Sequence, residues 1–114
     1  MMSDCLFCKI IAGEIPADKV YEDDEVLAFN DIAPQAPTHF LIVPKKHYSD
    51  LSEIQQEDDQ LIGKMVRTGA ELAAKKGLDK GYRVIFNNGP EGGQVVFHIH
   101  MHILGGRQLR GPLG

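Results

Sequence analysis

The sequence predicts an α+β fold: a largely antiparallel sheet of about five strands with one short helix and one long helix. Two observations support this class. Several short β-prone runs are bounded by turn residues, and one long segment carries apolar residues at helical spacing. The order helix, strands, helix, strands favours helices packed on an antiparallel sheet. With 114 residues, 43% of them hydrophobic, the chain fits a single domain over residues 1–114.

The first half of the chain contains the short helix and three strands. Asp4 is placed to cap a helix that runs to about Ile11, and Gly13 and Pro16 then break the pattern. Three β-prone runs follow, the first two joined by an acidic turn and the third ended by a proline: residues 20–22, 26–30 and 39–43.

The second half contains the long helix and two more strands. From about Gln56 to Lys76, apolar residues recur at helical spacing, and Gly77 is placed to end the helix. These apolar residues are Leu61, Ile62, Met65, Val66, Ala70, Leu72 and Ala73. Strands are then predicted over 82–87 and 95–104, separated by a glycine-rich loop.

Charge and hydropathy exclude several classes of partner. The balance of 16 acidic against 12 basic residues gives a net charge of −4 without a basic block, so binding to a nucleic acid polymer or to an anionic membrane is not expected. No apolar run approaches the roughly 20 residues that cross a bilayer, and residues 1–4 lack the features of a signal peptide. We expect a cytoplasmic protein.

Three of the five histidines alternate in one β-prone run, at His98, His100 and His102. In a regular strand their side chains would share one face, about 6.5–7 Å apart. The central His100 is then placed to attack an anionic substrate that its neighbours also contact. The alternative is a set of surface or metal-binding histidines on an amphipathic strand.

The loop before the histidines favours a phosphate as the substrate group. Gly89, Gly92 and Gly93 let several backbone N–H groups turn toward one point, although such a loop is also an ordinary turn. A histidine nucleophile forms a phosphoramidate adduct, which suits nucleotidyl transfer. It needs one unprotonated ring nitrogen and a carbonyl that holds the other as a donor. His102 would stabilise the developing charge.

Specific segments resemble a known family. Residues 92–107 look like the signature of the histidine triad superfamily, and residues 29–40 and 44–47 resemble its HINT-like branch of nucleotide-binding phosphoramidases. The similarity runs from about Cys5 to Leu109. The resemblance implies a HIT-like fold and a homodimer. It also implies hydrolysis of adenosine 5′-phosphoramidates and of acyl or aminoacyl adenylates through a nucleotidyl-histidine intermediate, with purine nucleoside monophosphate derivatives as ligands and no organic cofactor.

The resemblance also implies a role for each matching residue. His100 is the nucleophile, His39 supports its hydrogen-bond network, and Asp31 binds ribose with Ile32 beside it. Two further sets surround the phosphate and hold the base. The phosphate set is Asn87, Gly93, Gln94, Val95 and His102, and the base set is Leu6, Phe7, Ile10 and Phe29.

The two cysteines, Cys5 and Cys8, form a Cys-X-X-Cys pair that in a reducing compartment favours a metal or redox role. Together with His47 and His98 they match a family pattern for a structural zinc site of the Cys₂His₂ type. The alternatives are buried unliganded thiols, a redox pair, or a solvated His47. A catalytic zinc is disfavoured because this set leaves no open position for water.

Two departures from the family pattern concern the leaving group. Val95 stands where many relatives have a serine that assists departure, and residues 108–114 lack the tryptophan found near the end of many eukaryotic members. The run at residues 89–91 also resembles the dinucleoside-polyphosphate hydrolase branch. Two alternatives therefore stay open: a dinucleoside-polyphosphate hydrolase or nucleotidylyltransferase that uses the same histidine, and a zinc-stabilised nucleotide-binding regulatory protein.

Overall fold

A computed structural model describes residues 4–111 of the chain. Its elements in chain order are α1 (Leu6–Ile11), β1 (Lys19–Glu22), β2 (Val26–Asn30), β3 (Thr38–Pro44), α2 (Asp59–Lys75), β4 (Tyr82–Phe86) and β5 (Met101–Gly105). Residues 1–3 of the N-terminal segment and residues 112–114 of the tail, both discussed above, lie outside the described residues. None of the helices within residues 4–111 combines the length and apolarity needed to cross a membrane.

The five strands form one sheet in the order β1-β2-β3-β5-β4, and every neighbouring pair is antiparallel. The predicted α+β class, with one short and one long helix, is therefore confirmed. The swap of β5 and β4 in the order places β5 inside the sheet, between β3 and the edge strand β4. The histidine-rich segment thus runs directly into a central strand.

Both faces of the sheet are buried around β2 and β3, since side chains alternate between the faces along each strand. On one face, the sheet packs against the long helix α2 through Val26, Ala28, Phe40, Ile42, Met101 and Ile103. On the other face, it packs against the short helix α1 through Leu27, Phe29, Leu41 and Val43. The odd-numbered His39 is on the α1 side of β3, so the polar site residues face α1 and not α2.

Helix α2 approaches the sheet so closely at one position that a side chain there would force its neighbours to shift. A Cβ added at Gly69 would lie 2.6 Å from Met101 Cε and 3.2 Å from the Cδ1 atoms of Ile103 and Ile42. At Gly63, on the same helix, an added Cβ would meet nothing within 4 Å. The two glycines are therefore a matched pair for measuring how tightly the helix packs.

Gly69→Ala is expected to lower the free energy of unfolding by about 1–2 kcal/mol, because the added methyl group overpacks the interface. Gly63→Ala is expected to raise it by roughly 0.5–1 kcal/mol, because alanine loses less backbone entropy in a helix. Urea unfolding of the two variants beside wild type checks both values. Equal stabilisation by both substitutions would show that the helix does not pack against the sheet at this distance.

Several predicted boundaries need correction. Helix α1 is capped by Cys5 and not by Asp4, because the Cys5 sulfur accepts the Cys8 N–H at 3.3 Å. Helix α2 begins at Asp59, later than the predicted 56, because Gln56–Asp58 forms a separate 3₁₀ turn. Val66 and Ala70, two of the apolar residues in the periodic pattern, are exposed.

The predicted strand over 95–104 begins only at Met101, so His98 and His100 lie just before it and not within it. Met101 is the first residue of β5 that pairs with its neighbours, Ile42 of β3 and Phe86 of β4. Before Met101, neither of these strands pairs with the chain. The segment instead crosses to the loop after β3, where the Ile99 N–H donates to the Tyr48 carbonyl at 2.8 Å. The imidazoles still alternate with core residues, but the rings of His100 and His102 are 5.0 Å apart, closer than a regular strand would place them.

Candidate functional site

The ring of His100 is fixed by its own backbone segment. Its Nδ1 lies 2.8 Å from the carbonyl oxygen of His98, and because a carbonyl only accepts, Nδ1 must carry the proton. In the neutral ring the proton-free nitrogen is then Nε2. The edge of Phe7, with a ring centroid 5.0 Å away, packs against the same imidazole and restricts its rotation. His100 therefore presents a lone pair from a ring held on two sides.

A second chain of hydrogen bonds fixes His102. The backbone N–H of Gln35 donates to His39 Nδ1 at 3.0 Å, so the proton of neutral His39 is on Nε2. That Nε2 is 2.9 Å from His102 Nδ1 and 3.4 Å from a carboxylate oxygen of Asp31. When His39 donates to His102 Nδ1, the proton of neutral His102 is on its outer nitrogen, Nε2. The proton on His39 Nε2 thus lies between the Asp31 carboxylate and His102 Nδ1. Because this nitrogen is protonated, the group formed by Asp31, His39 and His102 is poorly suited to bind a metal ion.

Burial keeps these imidazoles neutral near pH 7. It lowers the pKa of His102 to about 4, with the neighbouring His100 and His39 acting in the same direction. Burial also lowers the pKa of His100 and of His39, opposed in each case by the Asp31 carboxylate. At neutral pH, His100 therefore offers a nucleophilic lone pair while His102 offers a neutral N–H donor.

The glycine-rich loop before the histidines is closed by side-chain amides. The Asn87 amide donates to the Gly92 carbonyl at 2.9 Å, and Gln94 is buried, accepting the Gly89 N–H and donating to the Ser49 carbonyl, both at 2.8 Å. The side chain of Gln94 is thus used inside the protein, and an added Cβ on Gly92 would lie 2.2 Å from a backbone oxygen of the loop. The loop has a defined shape that glycine alone permits.

The residues that match the base and ribose positions of the family lie on the α1 side of the sheet. Phe7, Ile10 and Phe29 are buried together in one apolar cluster, whereas Leu6 at its edge is exposed. Ile32 is 99% exposed and has no place in this cluster. The structure therefore places Phe7 against His100, with Ile10 and Phe29 in the same apolar cluster and Ile32 apart from it.

The four residues of the expected metal site come together around one point. The ligand atoms of Cys5, Cys8, His47 and His98 all lie within 4.8 Å of one another. His98 Nε2 donates to the Pro44 carbonyl at 2.8 Å, which leaves its Nδ1 without a proton and facing the sulfurs. These residues therefore lie close enough to hold a metal ion.

Distances between the ligand atoms match the edges of a small tetrahedron. The Sγ–Nδ1 separations are 3.3 Å for Cys5–His98, 3.3 Å for Cys8–His47 and 3.6 Å for Cys8–His98, and the two Nδ1 atoms are 3.1 Å apart. Tetrahedral zinc with two sulfur and two nitrogen ligands has S–N edges of about 3.6 Å and an N–N edge of about 3.3 Å. Without a cation, burial and the neighbouring Cys5 raise the pKa of the Cys8 thiol to about 11. The donor set fits zinc.

Two cavities border the sheet. One of about 440 Å³ lies beside the cysteines and the end of the glycine-rich loop, lined by Asp4, Cys5, Leu6, His47, Val95, Val96 and Phe97. The larger one, about 680 Å³, is lined by residues 77–83 and 106–109. It lies at the far end of β5, away from the histidines, whereas the smaller cavity borders Cys5 and His47; neither cavity is lined by His100 or His102.

Burial of neutral histidines predicts a stability that depends on pH. The folded pKa values of His102, His100 and His39 lie below the value of about 6.5 expected in the unfolded chain. Between these values the unfolded chain binds more protons, so the free energy of unfolding should fall as pH falls from about 6.5 toward 4. Urea unfolding of chelator-treated protein at about pH 7.5 and about pH 5 tests this, since carboxylates titrate mainly below that window. His102→Asn should reduce the difference, and equal stability at both pH values would contradict the assignment.

Three elements of the site were not predicted from the sequence. The Gln35 N–H and the Pro44 carbonyl orient histidine rings through backbone atoms, for which a side-chain pattern gives no signal. The Tyr48 carbonyl holds Ile99 in the same way.

Fold and site together define a protein with a histidine cluster at the head of a central antiparallel strand, and comparison with known proteins gives the family. The family model of the HIT domain matches residues 12–109, so the chain belongs to the HIT domain family. An uncharacterised HIT-like protein of Synechococcus elongatus is 52% identical over 114 residues, which are all of both chains.

Solved structures agree with this assignment. A HIT family hydrolase from Legionella pneumophila Philadelphia 1 superposes with a TM-score of 0.95 at 51% identity, covering 97% of this chain and 100% of its own. A histidine triad nucleotide-binding protein from Candida albicans gives a TM-score of 0.82 at 35% identity, covering 97% of this chain and 85% of its own.

Proposed function

We propose that this protein is a purine nucleoside phosphoramidase in which His100 forms a covalent nucleotidyl intermediate. The observation that carries the proposal is the hydrogen bond of 2.8 Å from His100 Nδ1 to the His98 carbonyl, which leaves Nε2 free to attack phosphorus. The names of the relatives support the reaction class, since one solved neighbour is a hydrolase and another is a nucleotide-binding protein.

The reaction has two balanced steps. His100 Nε2 attacks phosphorus as the bond from phosphorus to the leaving amine breaks, and the amine keeps the bonding pair and takes a proton from solvent. The His98 carbonyl stabilises the positive charge on the nucleotidyl imidazole through Nδ1–H. Water then attacks phosphorus and releases one proton to solvent, the bond from phosphorus to Nε2 breaks with its electron pair returning to Nε2, and the nucleoside monophosphate leaves. Val95 has no hydroxyl to protonate the amine, and we therefore assign that proton to solvent.

Phosphate oxygens would be bound by His102 and by the end of the glycine-rich loop. His102 Nε2–H is the neutral donor that the His39 hydrogen bond leaves available. In the loop, the N–H groups of Gly92, Gly93 and Gln94 are already donated to loop carbonyls. Among residues 4–111, the Val95 N–H has no protein acceptor, so this donor is available for a phosphate oxygen.

The nucleoside would lie against helix α1. We assign the base to the apolar residues Leu6, Phe7, Ile10 and Phe29, and the ribose hydroxyls to Asp31. One Asp31 oxygen accepts the Ala33 N–H at 2.8 Å, which fixes the carboxylate, and the other faces the histidines.

We place the leaving group in the cavity beside Val95, whose lining favours an amine or aminoacyl group over a second nucleotide. Its lining includes the apolar side chains of Leu6, Val95 and Phe97 together with the carboxylate of Asp4, and contains no lysine or arginine. A polyphosphate chain would therefore bring negative charge toward an acidic residue without a compensating cation. The dinucleoside-polyphosphate hydrolase remains the second candidate for the same histidine.

Zinc at Cys5, Cys8, His47 and His98 would be structural, cross-linking α1 to the loop after β3 and to the histidine segment.

We also propose that residues 1–114 form one HIT domain that acts as a homodimer. The unpaired edge of β4, where Tyr82 and Val84 are exposed, supports an apolar contact between copies.

The substrate preference is tested by comparing adenosine 5′-phosphoramidate, an aminoacyl adenylate analogue with a P–N linkage, and a diadenosine polyphosphate. We expect kcat/KM for the two P–N substrates to exceed that for the polyphosphate by at least about 100-fold, a transition-state difference of about 2.7 kcal/mol. A preference for the polyphosphate would contradict the phosphoramidase proposal and favour the second candidate, a dinucleoside-polyphosphate hydrolase. No turnover of any substrate by folded protein that binds nucleotide would favour a regulatory binding role.

A further inference from the structure

His98 contacts both the four-residue metal cluster and the nucleophile His100, through its ring and its backbone carbonyl respectively. Its ring is fully buried, with Nδ1 facing the cysteines and His47, and with Nε2 donating to the Pro44 carbonyl at 2.8 Å. Its backbone carbonyl accepts from His100 Nδ1, also at 2.8 Å. His98 therefore has two roles: its ring is one of the four candidate metal ligands, and its backbone carbonyl accepts the hydrogen bond that orients His100.

The backbone around His98 has few other supports. It lies before β5 and lacks the ladder of hydrogen bonds that fixes a strand. Within the described residues, segment 95–100 is tied by the Ile99 N–H to the Tyr48 carbonyl at 2.8 Å and by the Gln94 amide to the Val96 carbonyl at 3.1 Å. The direction of the His98 carbonyl thus depends strongly on how its ring is held.

A second connection runs through helix α1. Cys5 caps the helix and Cys8 lies in its first turn, so both sulfurs are attached to the segment that carries Phe7. The Phe7 ring contacts His98 and His100, with ring centroids 5.9 and 5.0 Å apart. A cation that joined the two sulfurs to His98 would also fix the wall against which His100 packs.

We propose that metal occupancy of the cluster formed by Cys5, Cys8, His47 and His98 controls nucleotidyl transfer, with His98 as the positioning residue that connects the cluster to His100. This proposal rests on the proposed function of His100. Without the cation, the four ligand atoms lose their common partner, and one of the restraints on the His98 carbonyl and on Phe7 is removed, beside the Pro44 hydrogen bond and the apolar packing that remain. His100 then samples orientations and tautomers in which Nε2 is not free to attack.

The test uses the full-length protein stripped by a chelator and then reloaded with zinc, at a temperature where the stripped protein stays folded. The readouts are zinc content, kcat and KM for adenosine 5′-phosphoramidate, and the imidazole ¹⁵N signals of His100. We expect stripping to lower kcat by at least about 10-fold, equal to about 1.4 kcal/mol, with KM changed less than about 3-fold. His100 should change from one Nδ1–H tautomer to a mixture.

The variant His47→Ala removes a ligand that does not contact His100, and it should behave like stripped wild type even with zinc present. Lys45→Ala is the matched control, because Lys45 pairs with Glu22 at 2.7 Å and takes no part in the cluster. Its kcat and His100 signals should equal those of wild type. Unchanged kcat and unchanged His100 signals in folded, zinc-free protein would overturn the proposal and leave the metal a purely stabilising role.

If stripping unfolds the protein, cadmium replaces zinc in the same experiment. Cadmium bonds to sulfur and nitrogen are longer, so the cross-link is kept while His98 is displaced. A changed kcat together with shifted His100 signals supports the coupling, and identical values in the two metal forms contradict it. If zinc-loaded wild type releases no adenosine monophosphate at all, the proposed function fails, whereas the ¹⁵N signals still decide whether the cluster orients His100.

Discussion

Replacement of His100 by alanine is expected to lower the rate of adenosine monophosphate release from adenosine 5′-phosphoramidate by at least about 10⁴-fold. Removal of a nucleophile abolishes the covalent route, and what remains is the modest acceleration that binding and charge stabilisation provide. The nearest other imidazole, His102, has its ring centroid 5.0 Å away, and in its neutral form it carries the proton on the outer nitrogen, so it offers no lone pair there to replace that of His100.

A second variant separates loss of chemistry from loss of structure. His100→Gln fills most of the space of the buried ring, and it should be as inactive as the alanine variant. Both variants should still bind adenosine monophosphate and melt within a few degrees of wild type. If either retained more than about a tenth of the wild-type rate, the nucleophile would have to be another group.

Replacement of His102 is expected to have the second largest effect. His102→Ala should lower kcat by about 10²–10³-fold, because one preorganised donor to the phosphate oxygens is lost while the nucleophile remains. The donor is His102 Nε2–H, whose position follows from the hydrogen bond of 2.9 Å between His39 Nε2 and His102 Nδ1.

Two amide variants locate that donor. The amide of Gln reaches the position of the outer ring nitrogen, so His102→Gln should recover part of the lost rate. The amide of Asn reaches only the inner position, beside His39, so His102→Asn should remain as slow as alanine. Pre-steady-state measurement of adenosine monophosphate formation gives the rates. Equal activity of the Gln and Asn variants would mean that His102 does not act through Nε2.

The sequence was sufficient for the parts of the fold that depend on periodicity. The apolar run after Pro37 became the central strand β3, and the long periodic segment became α2. Both depend on burial of side chains at regular spacing, which a sequence displays directly. The approach of the Gly69 backbone to Met101 was not predictable, because it depends on how two distant segments meet in the core.

The sequence predicted which side chains belong to the site, but it did not predict their arrangement in space. The segment from His98 to His102 indicated a shared face, and in the structure the imidazoles do alternate with core residues. The regular strand assumed for them was wrong before Met101, because β4 and β3 no longer accompany the chain there. Backbone groups such as the Gln35 N–H then determine which nitrogen of each histidine carries the proton.

The most direct test of the account is to detect the covalent intermediate by mass. Wild type and His100→Ala are mixed with adenosine 5′-phosphoramidate, quenched in alkali that preserves P–N bonds, digested and analysed by mass spectrometry. We expect an adenylyl adduct on the peptide that contains His100 in wild type, formed at least as fast as adenosine monophosphate is released, and no adduct in the variant. Rapid turnover without an adduct, or an adduct on another residue, would contradict the role of His100 as nucleophile.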